Sequence, residues 1–298
     1  MEIFISIMEI FELRYFIAVA QTENVNRAAE AINVSAGSLS KAISRLEDEL
    51  QTPLFFKTGR GIKLTPEGLV LKKKAAQILQ LEEDAKLELR GKESGSLNVF
   101  ISSEEILQSY FGIEIVQKIS KIYPQAKIQF LIRSDESAIE QVKNGEAHLA
   151  LITSESPIEL SSKLIAKVEF KTTASKVHPL YKKYGSQKAI PPEELLQHSF
   201  VSPDSAVLGK ITKSDSIDGW RDDKFPRKIR YKVCGLKLME NLVGTGAALA
   251  YLPDYFVKSA DLEVLKVPGY PYSCHQNVRL ITKDPSALGW LNKLWDQL

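Results

Sequence analysis

The chain of 298 residues carries 39 Lys and Arg against 37 Asp and Glu, a formal net charge of +2, with 44% hydrophobic and 26% charged residues. That length holds two or three domains, each with its own core, and the composition excludes a disordered or fibrous chain. The near-zero charge points to no partner by bulk electrostatics.

No apolar run approaches a membrane span, so no membrane partner is expected. The opening MEIFISIMEI has an acidic second residue and no cationic stretch, unlike a secretory leader, and offers Met1 or Met8 as the start. A cytoplasmic protein is expected. Its two cysteines, Cys234 and Cys274, are far apart and show no metal or redox spacing, which predicts free thiols.

Leu13, Phe16, Ile17 and Ala20 predict a first helix. Val25, Ala28, Ala29 and Ile32 predict a second, and Leu39, Ile43, Leu46 and Leu50 a third, with Ser35 as its N-cap. Only Asn33 and Val34 separate the last two, and Ala28 and Ala29 are small enough for a close, steep crossing. This is the pattern of a helix-turn-helix. The outward face of the third helix carries Ser35, Ser38, Lys41, Ser44 and Arg45, hydroxyls and cations suited to phosphates and base edges. The same face also fits an ordinary solvated helix.

Leu54-Phe55-Phe56 and Ile62-Lys63-Leu64 read as short strands around a basic, glycine-hinged tip at 57–61, a wing whose Lys57, Arg60 and Lys63 suit a phosphate backbone. Residues 1–65 hold seven Lys and Arg against eight Asp and Glu, so any field for DNA must be local. Thr65-Pro66 then opens a long helix through Arg90. Its stripe of Leu71, Ala75, Ile78, Ala85 and Leu89, interrupted by Glu82, has heptad spacing. So polar a helix must pair with another.

Residues 91–96 read as a linker. Beyond them strands and helices alternate. Strands are expected at 97–101, 127–132, 148–152, 164–173, 200–201, 229–233, 248–252 and 278–282. Helices are expected at 104–122, 136–144, 236–243 and 286–298. That order predicts a mostly parallel sheet. Hydroxyls after strand ends, Ser102, Ser103, Ser134 and Thr153, and facing them Ser202, Asp204 and Ser205, are candidate ligands for a small organic effector, often a carboxylate. They also fit plain helix caps.

Several motifs in the N-terminal third combine into a resemblance. Leu13-Arg14-Tyr15-Phe16-Ile17-Ala18-Val19-Ala20, Arg27-Ala28-Ala29-Glu30, Leu39-Ser40-Lys41-Ala42-Ile43, Arg45-Leu46-Glu47, Leu54-Phe55 and Leu64-Thr65-Pro66-Glu67-Gly68 together resemble the N-terminal domain of LysR-type transcriptional regulators. The C-terminal part resembles the family's periplasmic-binding-protein-like effector domain. The segment from Ile190 to Leu195, His178-Pro179-Leu180, and Leu242 to Gly246 leading to Leu252-Pro253 fall in family order. The chain departs from the pattern at Ala36-Gly37, where the family has Gln-Pro, and at Lys41, where arginine is commoner. It departs again at His148, in place of an acidic residue, and at Ala248, in place of a glycine.

The resemblance implies an α/β protein with an N-terminal winged helix-turn-helix at 1–65, a linker and dimerisation helix at 66–90, and a two-lobed effector domain at 91–298. Lobe 1 is expected at about 96–160 plus 270–298 and lobe 2 at about 161–269, the chain crossing near 153–162 and 267–271. The implied partners are double-stranded DNA, the effector, a second copy paired through the linker helix, a homotetramer built from such dimers, and RNA polymerase.

Enzyme patterns do not cohere. Ser38 to Lys41 fits S-x-x-K and Lys57-Thr58-Gly59 fits K-T-G, but they lie too close together and S-D-N is missing. Gly244-Thr245-Gly246 follows a helix, not a strand, and lacks the third glycine of a dinucleotide loop. His148, His178, His198 and His275 show no metal spacing; His178 reads as loop and His198 as surface. No cofactor, metal or catalytic activity is expected. The competing reading is a cytosolic solute-binding or sensor module whose N-terminal helices serve oligomerisation alone.

Overall fold

The computed structural model describes residues 8–59, 61–90, 97–204, 217–269 and 274–298. The expected linker at 91–96 and the candidate residues Arg60 and Ser205 lie outside them.

Helix α1 (Ile10–Thr22) turns Leu13, Phe16 and Val19 into a core shared with Ala28 and Ala29 of α2 (Val25–Ala31) and Leu39, Ile43 and Leu46 of α3 (Ala36–Leu50). Each helix starts on a side-chain cap, which satisfies amides that the first turn leaves free. The Glu12 carboxylate accepts from the Glu9 amide at 2.9 Å, the Asn24 side chain from the Asn26 and Arg27 amides, and Ser35 Oγ from the Ser38 amide at 3.0 Å. Asn33, at φ 56°, supplies the left-handed residue of the tight turn.

Strands β1 (Phe55–Thr58) and β2 (Gly61–Leu64) form the wing, with Phe55 opposite Leu64 and Thr58 opposite Gly61. Pairing reaches closer to the tip than expected, so Lys57 lies in a strand and Gly59, at φ 55°, begins the turn. Glu47 Oε1 ties α3 to the wing by accepting from the Leu54 and Phe55 amides at 2.7 and 3.1 Å.

Helix α4 (Pro66–Arg90) starts on Thr65, whose Oγ1 accepts from the Gly68 amide at 2.9 Å. Gly68 packs so tightly on the Leu54 carbonyl that a Cβ there would overlap it. The heptad stripe divides in two. Leu71, Ala75 and Ile78 pack against the core of their own N-terminal domain, whereas Ala85 and Leu89 are exposed with Val70 and Leu81.

In the C-terminal part, β3 (Asn98–Ser103) is flanked by the parallel strands β4 (Lys127–Ile132) and β5 (Leu149–Ile152). The helix expected at 104–122 is in three pieces: α5 (Glu105–Leu107), a π-helical turn Gln108–Gly112, and α6 (Ile113–Ile122). Gly112 lies against the Phe130 ring, where a Cβ would come within 2.9 Å. Helix α7 (Asp135–Asn144) connects β4 to β5.

Strand β6 (Ser161–Ala174) then runs the length of the domain. Its first half pairs antiparallel with β11 (His275–Thr282), which also borders β5, giving the order β6-β11-β5-β3-β4. Its second half carries β9 (Ala250–Pro253) on one side and β10 (Glu263–Val264) on the other. The expected crossings near 153–162 and 267–271 fall next to these two long strands, β6 and β11. Strand β6 pairs with β11 along Ser161–Glu169 and with β9 along Phe170–Thr173, which local sequence pattern does not mark.

Helices α8 (Pro179–Tyr184) and α9 (Pro192–Leu195), strands β7 (Ser199–Pro203) and β8 (Lys228–Val233), and helices α10 (Leu236–Gly244) and α11 (Asp254–Ser259) complete lobe 2. Gly246, at φ 76°, makes the Gly244–Gly246 segment the turn that follows α10. A 3-10 turn, Pro285–Ala287, and α12 (Gly289–Trp295) return to lobe 1, where the sequence predicts one helix. Both lobes share a continuous apolar core, with Trp220 and Phe200 among its largest buried side chains. Among the described residues, no helix is long and apolar enough to cross a membrane.

Candidate DNA-binding surface and effector cleft

On α3, Leu39, Ile43 and Leu46 face inward, leaving Ser35, Ser38, Lys41, Ser44 and Arg45 together on the exposed side. The structure thus gathers all five helix candidates on one surface, with Lys57 and Lys63 exposed on the adjoining wing. Their roles differ. Ser35 Oγ and Ser38 Oγ lie 2.8 Å apart and hydrogen-bond each other while capping the helix. Arg45 turns back to α1, its Nε 3.1 Å from Oε1 of Glu12. The sequence pattern missed this ion pair, because Glu12 reads as an ordinary first-turn acid.

The effector candidates also divide. Ser102 and Ser103 end β3, Ser134 follows β4 and Thr153 follows β5, so all four sit at the carboxyl edge of the parallel strands. Most of their polar groups are already engaged. The Ser102 hydroxyl, fully buried, donates to Gln141 Oε1 at 2.7 Å, and Ser134 caps α7. Asp135 Oδ2 accepts from the Thr153 amide, the Thr153 hydroxyl and the Ser154 amide at 2.9, 3.1 and 2.8 Å. Ser103 Oγ and Asp135 Oδ1 are buried with no hydrogen-bond partner among the described residues. In lobe 2, Ser202 is buried in β7 and Asp204 accepts from the Cys234 thiol at 2.8 Å.

Sequence reasoning missed two contributors at this edge. Gln108 opens the π-helical turn and donates to the carbonyls of Ser103 and Leu131, both at 2.9 Å, which clamps the ends of β3 and β4. Such turns often mark functional places in helices. Glu104 is pushed up to about 7, first by burial and then by Asp135 and Glu136. Three carboxyl groups therefore meet where a carboxylate ligand was expected. The only sequence signal was an acidic residue following each of two strands.

His178 and His198 also depart from expectation. His178 is buried, caps α8 by accepting from the Leu180 amide, and packs 5.1 Å from the His198 ring. A cavity of about 810 Å³ opens in lobe 2 between Phe170, Lys171, Tyr251, Val257 and Leu265, and none of the candidate effector residues lines it.

A winged helix-turn-helix with an exposed, cation-bearing third helix, joined by one long helix to a two-lobed α/β domain, defines a ligand-responsive DNA-binding regulator. Comparison with known proteins makes this specific. Residues 10–69 match the family model for the bacterial regulatory helix-turn-helix protein of the lysR family, and residues 90–289 match the LysR substrate binding domain. The chain belongs to the LysR family of transcriptional regulators.

It is 28% identical over 269 residues to the transcriptional dual regulator GltC of Bacillus subtilis, covering 88% of this chain and 86% of that protein. It is 26% identical over 268 residues to a probable RuBisCO transcriptional regulator of Phaeodactylum tricornutum, covering 86% and 85%. Among solved structures, a full-length OxyR variant from Pseudomonas aeruginosa superposes with a TM-score of 0.65 at 20% identity, covering 97% of each chain. Full-length CbnR in complex with its target DNA gives 0.62 at 17%, covering 97% and 98%. The protein is a DNA-binding transcriptional regulator with an effector-binding domain, not an enzyme. The reading as a solute-binding module is set aside.

Proposed function

We propose that the chain regulates transcription in the cytoplasm by placing α3 in the major groove of an operator. The exposed face of α3 carries this reading, because it presents Lys41, Ser38 and Ser44 outward while the opposite face is locked in the core. Lys41 is the base-reading cation, and Lys57, Arg60 and Lys63 of the wing lie along phosphates. Arg45 holds α3 on α1 and reaches the backbone from there.

Two chains pair through the exposed row Val70, Leu81, Ala85 and Leu89 of α4, and such dimers join as a homotetramer that contacts RNA polymerase. The operator is then an interrupted inverted repeat with half-sites about one helical turn apart. The effector lies between the lobes at the carboxyl edge of β3, β4 and β5, reached from lobe 2 by Ser202 and Asp204. The carboxyl groups of Glu104, Asp135 and Glu136 favour a ligand that turns a hydrogen-bond donor or cation toward lobe 1 and any carboxylate toward lobe 2.

A gel shift against the upstream region of the chain's own gene tests the reading. Retardation that survives competitor DNA and weakens with Lys41→Ala is expected. Retardation indifferent to Lys41 would remove α3 as the reading helix.

A further inference from the structure

Helix α4 meets lobe 1 along a second interface. Lys72 pairs with Glu146 at 3.0 Å, Gln80 Nε2 donates to the Gly145 carbonyl at 2.7 Å, and the buried Asp84 accepts from the Gly289 amide at 3.0 Å. Gly145, at φ 75°, lies where a Cβ would come within 3.1 Å of Gln77. These contacts enclose a cavity of about 230 Å³ between the two domains.

The walls of this cavity are mainly apolar: Leu81, Val142, Ala147, Leu288 and Leu291. Its polar groups are few and mostly occupied. Thr282 donates to the His148 carbonyl, Lys283 to the Lys143 carbonyl, and Asp284 caps the turn at 285–287. His148 differs. It is 7% exposed, its ring stacks on Phe100, and its Nδ1 accepts from the Phe100 amide at 3.0 Å. Burial holds the ring neutral, with its pKa lowered to about 4. The hydrogen of the neutral ring is therefore on Nε2, which makes no hydrogen bond to nitrogen or oxygen among the described residues, and the ring also meets Trp290 edge to face with centroids 5.4 Å apart. Gln77, on the α4 wall, makes no side-chain hydrogen bond among the described residues.

We propose that this interdomain cavity is a second small-molecule site, separate from the inter-lobe cleft, for a compact uncharged molecule with one hydrogen-bond acceptor directed at His148 Nε2. A dry cavity of about 150 Å³ accepts benzene, so this volume suits roughly ten heavy atoms. An anion would have to shed its water among mainly apolar walls and draw Lys283 away from the Lys143 carbonyl. One wall belongs to the helix that carries the DNA-binding domain and the other to lobe 1. Occupancy therefore favours one arrangement of the two.

Acetophenone, an aromatic ring with one carbonyl, is the probe, and ethylbenzene is its counterpart without the acceptor. Titration calorimetry on the full chain should show one acetophenone site per chain and binding of ethylbenzene weaker by about fivefold or more. Ala147→Leu, which fills the interior, and Ala287→Phe, which covers the exposed mouth, should each weaken acetophenone by about tenfold or more. If Ala147→Leu fails to fold, the surface substitution decides. Hydrogen exchange should show acetophenone protecting both α4 around Gln77–Leu81 and the segment from Lys283 to Leu291. No binding at millimolar probe, undiminished binding in Ala287→Phe, equal binding of ethylbenzene, or protection on one wall only would overturn the assignment.

Discussion

Arg45 and Glu12 form an ion pair across the helix-turn-helix, with Arg45 Nε 3.1 Å from a carboxylate that is 1% exposed. The cation most prominent on the recognition face is thus also a structural partner. Arg45→Ala should weaken operator binding and lower stability by about 1–3 kcal/mol, since it leaves a buried acceptor without its charged partner. Lys41, which makes no ion pair among the described residues, should lose about 1–3 kcal/mol of sequence discrimination as alanine with no change in melting temperature. Melting curves and gel shifts on both variants check this. Equal melting of the two would mean that the ion pair holds nothing.

The linker helix separates assembly from folding in the same way. Val70→Asp with Leu89→Asp should produce monomers by light scattering with the melting temperature unchanged, because both side chains are exposed and Leu89 is 88% so. Leu71→Asp with Ile78→Asp should instead unfold the N-terminal domain at a cost of several kcal/mol, about the penalty for charge in an apolar core. Dimers that persist in the first pair would remove the exposed row as the interface.

This division of α4 shows what was legible in the sequence and what was not. The three helices, the cap at Ser35, the wing and the start of α4 at Thr65-Pro66 depend on residues within a few positions of each other, and they were readable from spacing alone. The face of α4 that meets its own domain depends on where α1 lies. No local pattern records that. The pairing of β6 with β11 joins residues more than a hundred positions apart, and the buried place of His178 depends on what packs over a turn of chain that reads as loop. In the cleft, the positions of the hydroxyls after strand ends were readable, but Gln141 and Asp135, which engage Ser102 and Thr153, come from a different element.

Arg227 and Asp218 carry lobe 2's buried charge, each side chain 1% exposed, with Arg227 Nη1 donating to Asp218 Oδ2 at 2.7 Å and Nη2 to Oδ1 at 3.1 Å. The guanidinium also lies over Trp220 and reaches Asp222 at 2.7 Å. Arg227→Met should cost about 3–5 kcal/mol, the usual penalty for stranding one partner of a buried pair. Urea unfolding followed by tryptophan fluorescence measures it. A loss below 1 kcal/mol would mean that the pair is solvated in the folded state.

Acid should destabilise the protein through His148 and His178, both lowered to about 4 chiefly by burial. Unfolded histidine takes up a proton near its ordinary 6.5, and the folded rings do not. Stability contributed by each is therefore complete above that value and is lost as pH falls toward 4, at about 1.4 kcal/mol per unit. Glu104, raised to about 7, acts oppositely: its contribution is present below 4.5 and is lost as pH rises through 7. Chemical unfolding at several pH values should give Glu104→Gln a gain over wild type at pH 8 and none at pH 4. A gain that does not vary with pH would refute a buried, shifted carboxyl group.

Strand β11 sits between β5 and β6, though it comes from residues 275–282, more than a hundred positions after either begins. The order of emergence from a ribosome gives this a consequence. The DNA-binding core closes with residues that precede position 80, from local contacts that form quickly. The effector domain cannot join its two lobes until β11 has been synthesised. During translation, a folded DNA reader therefore exists before its control element does. A message cut short upstream of β11 would release a fragment able to occupy an operator without answering to any ligand.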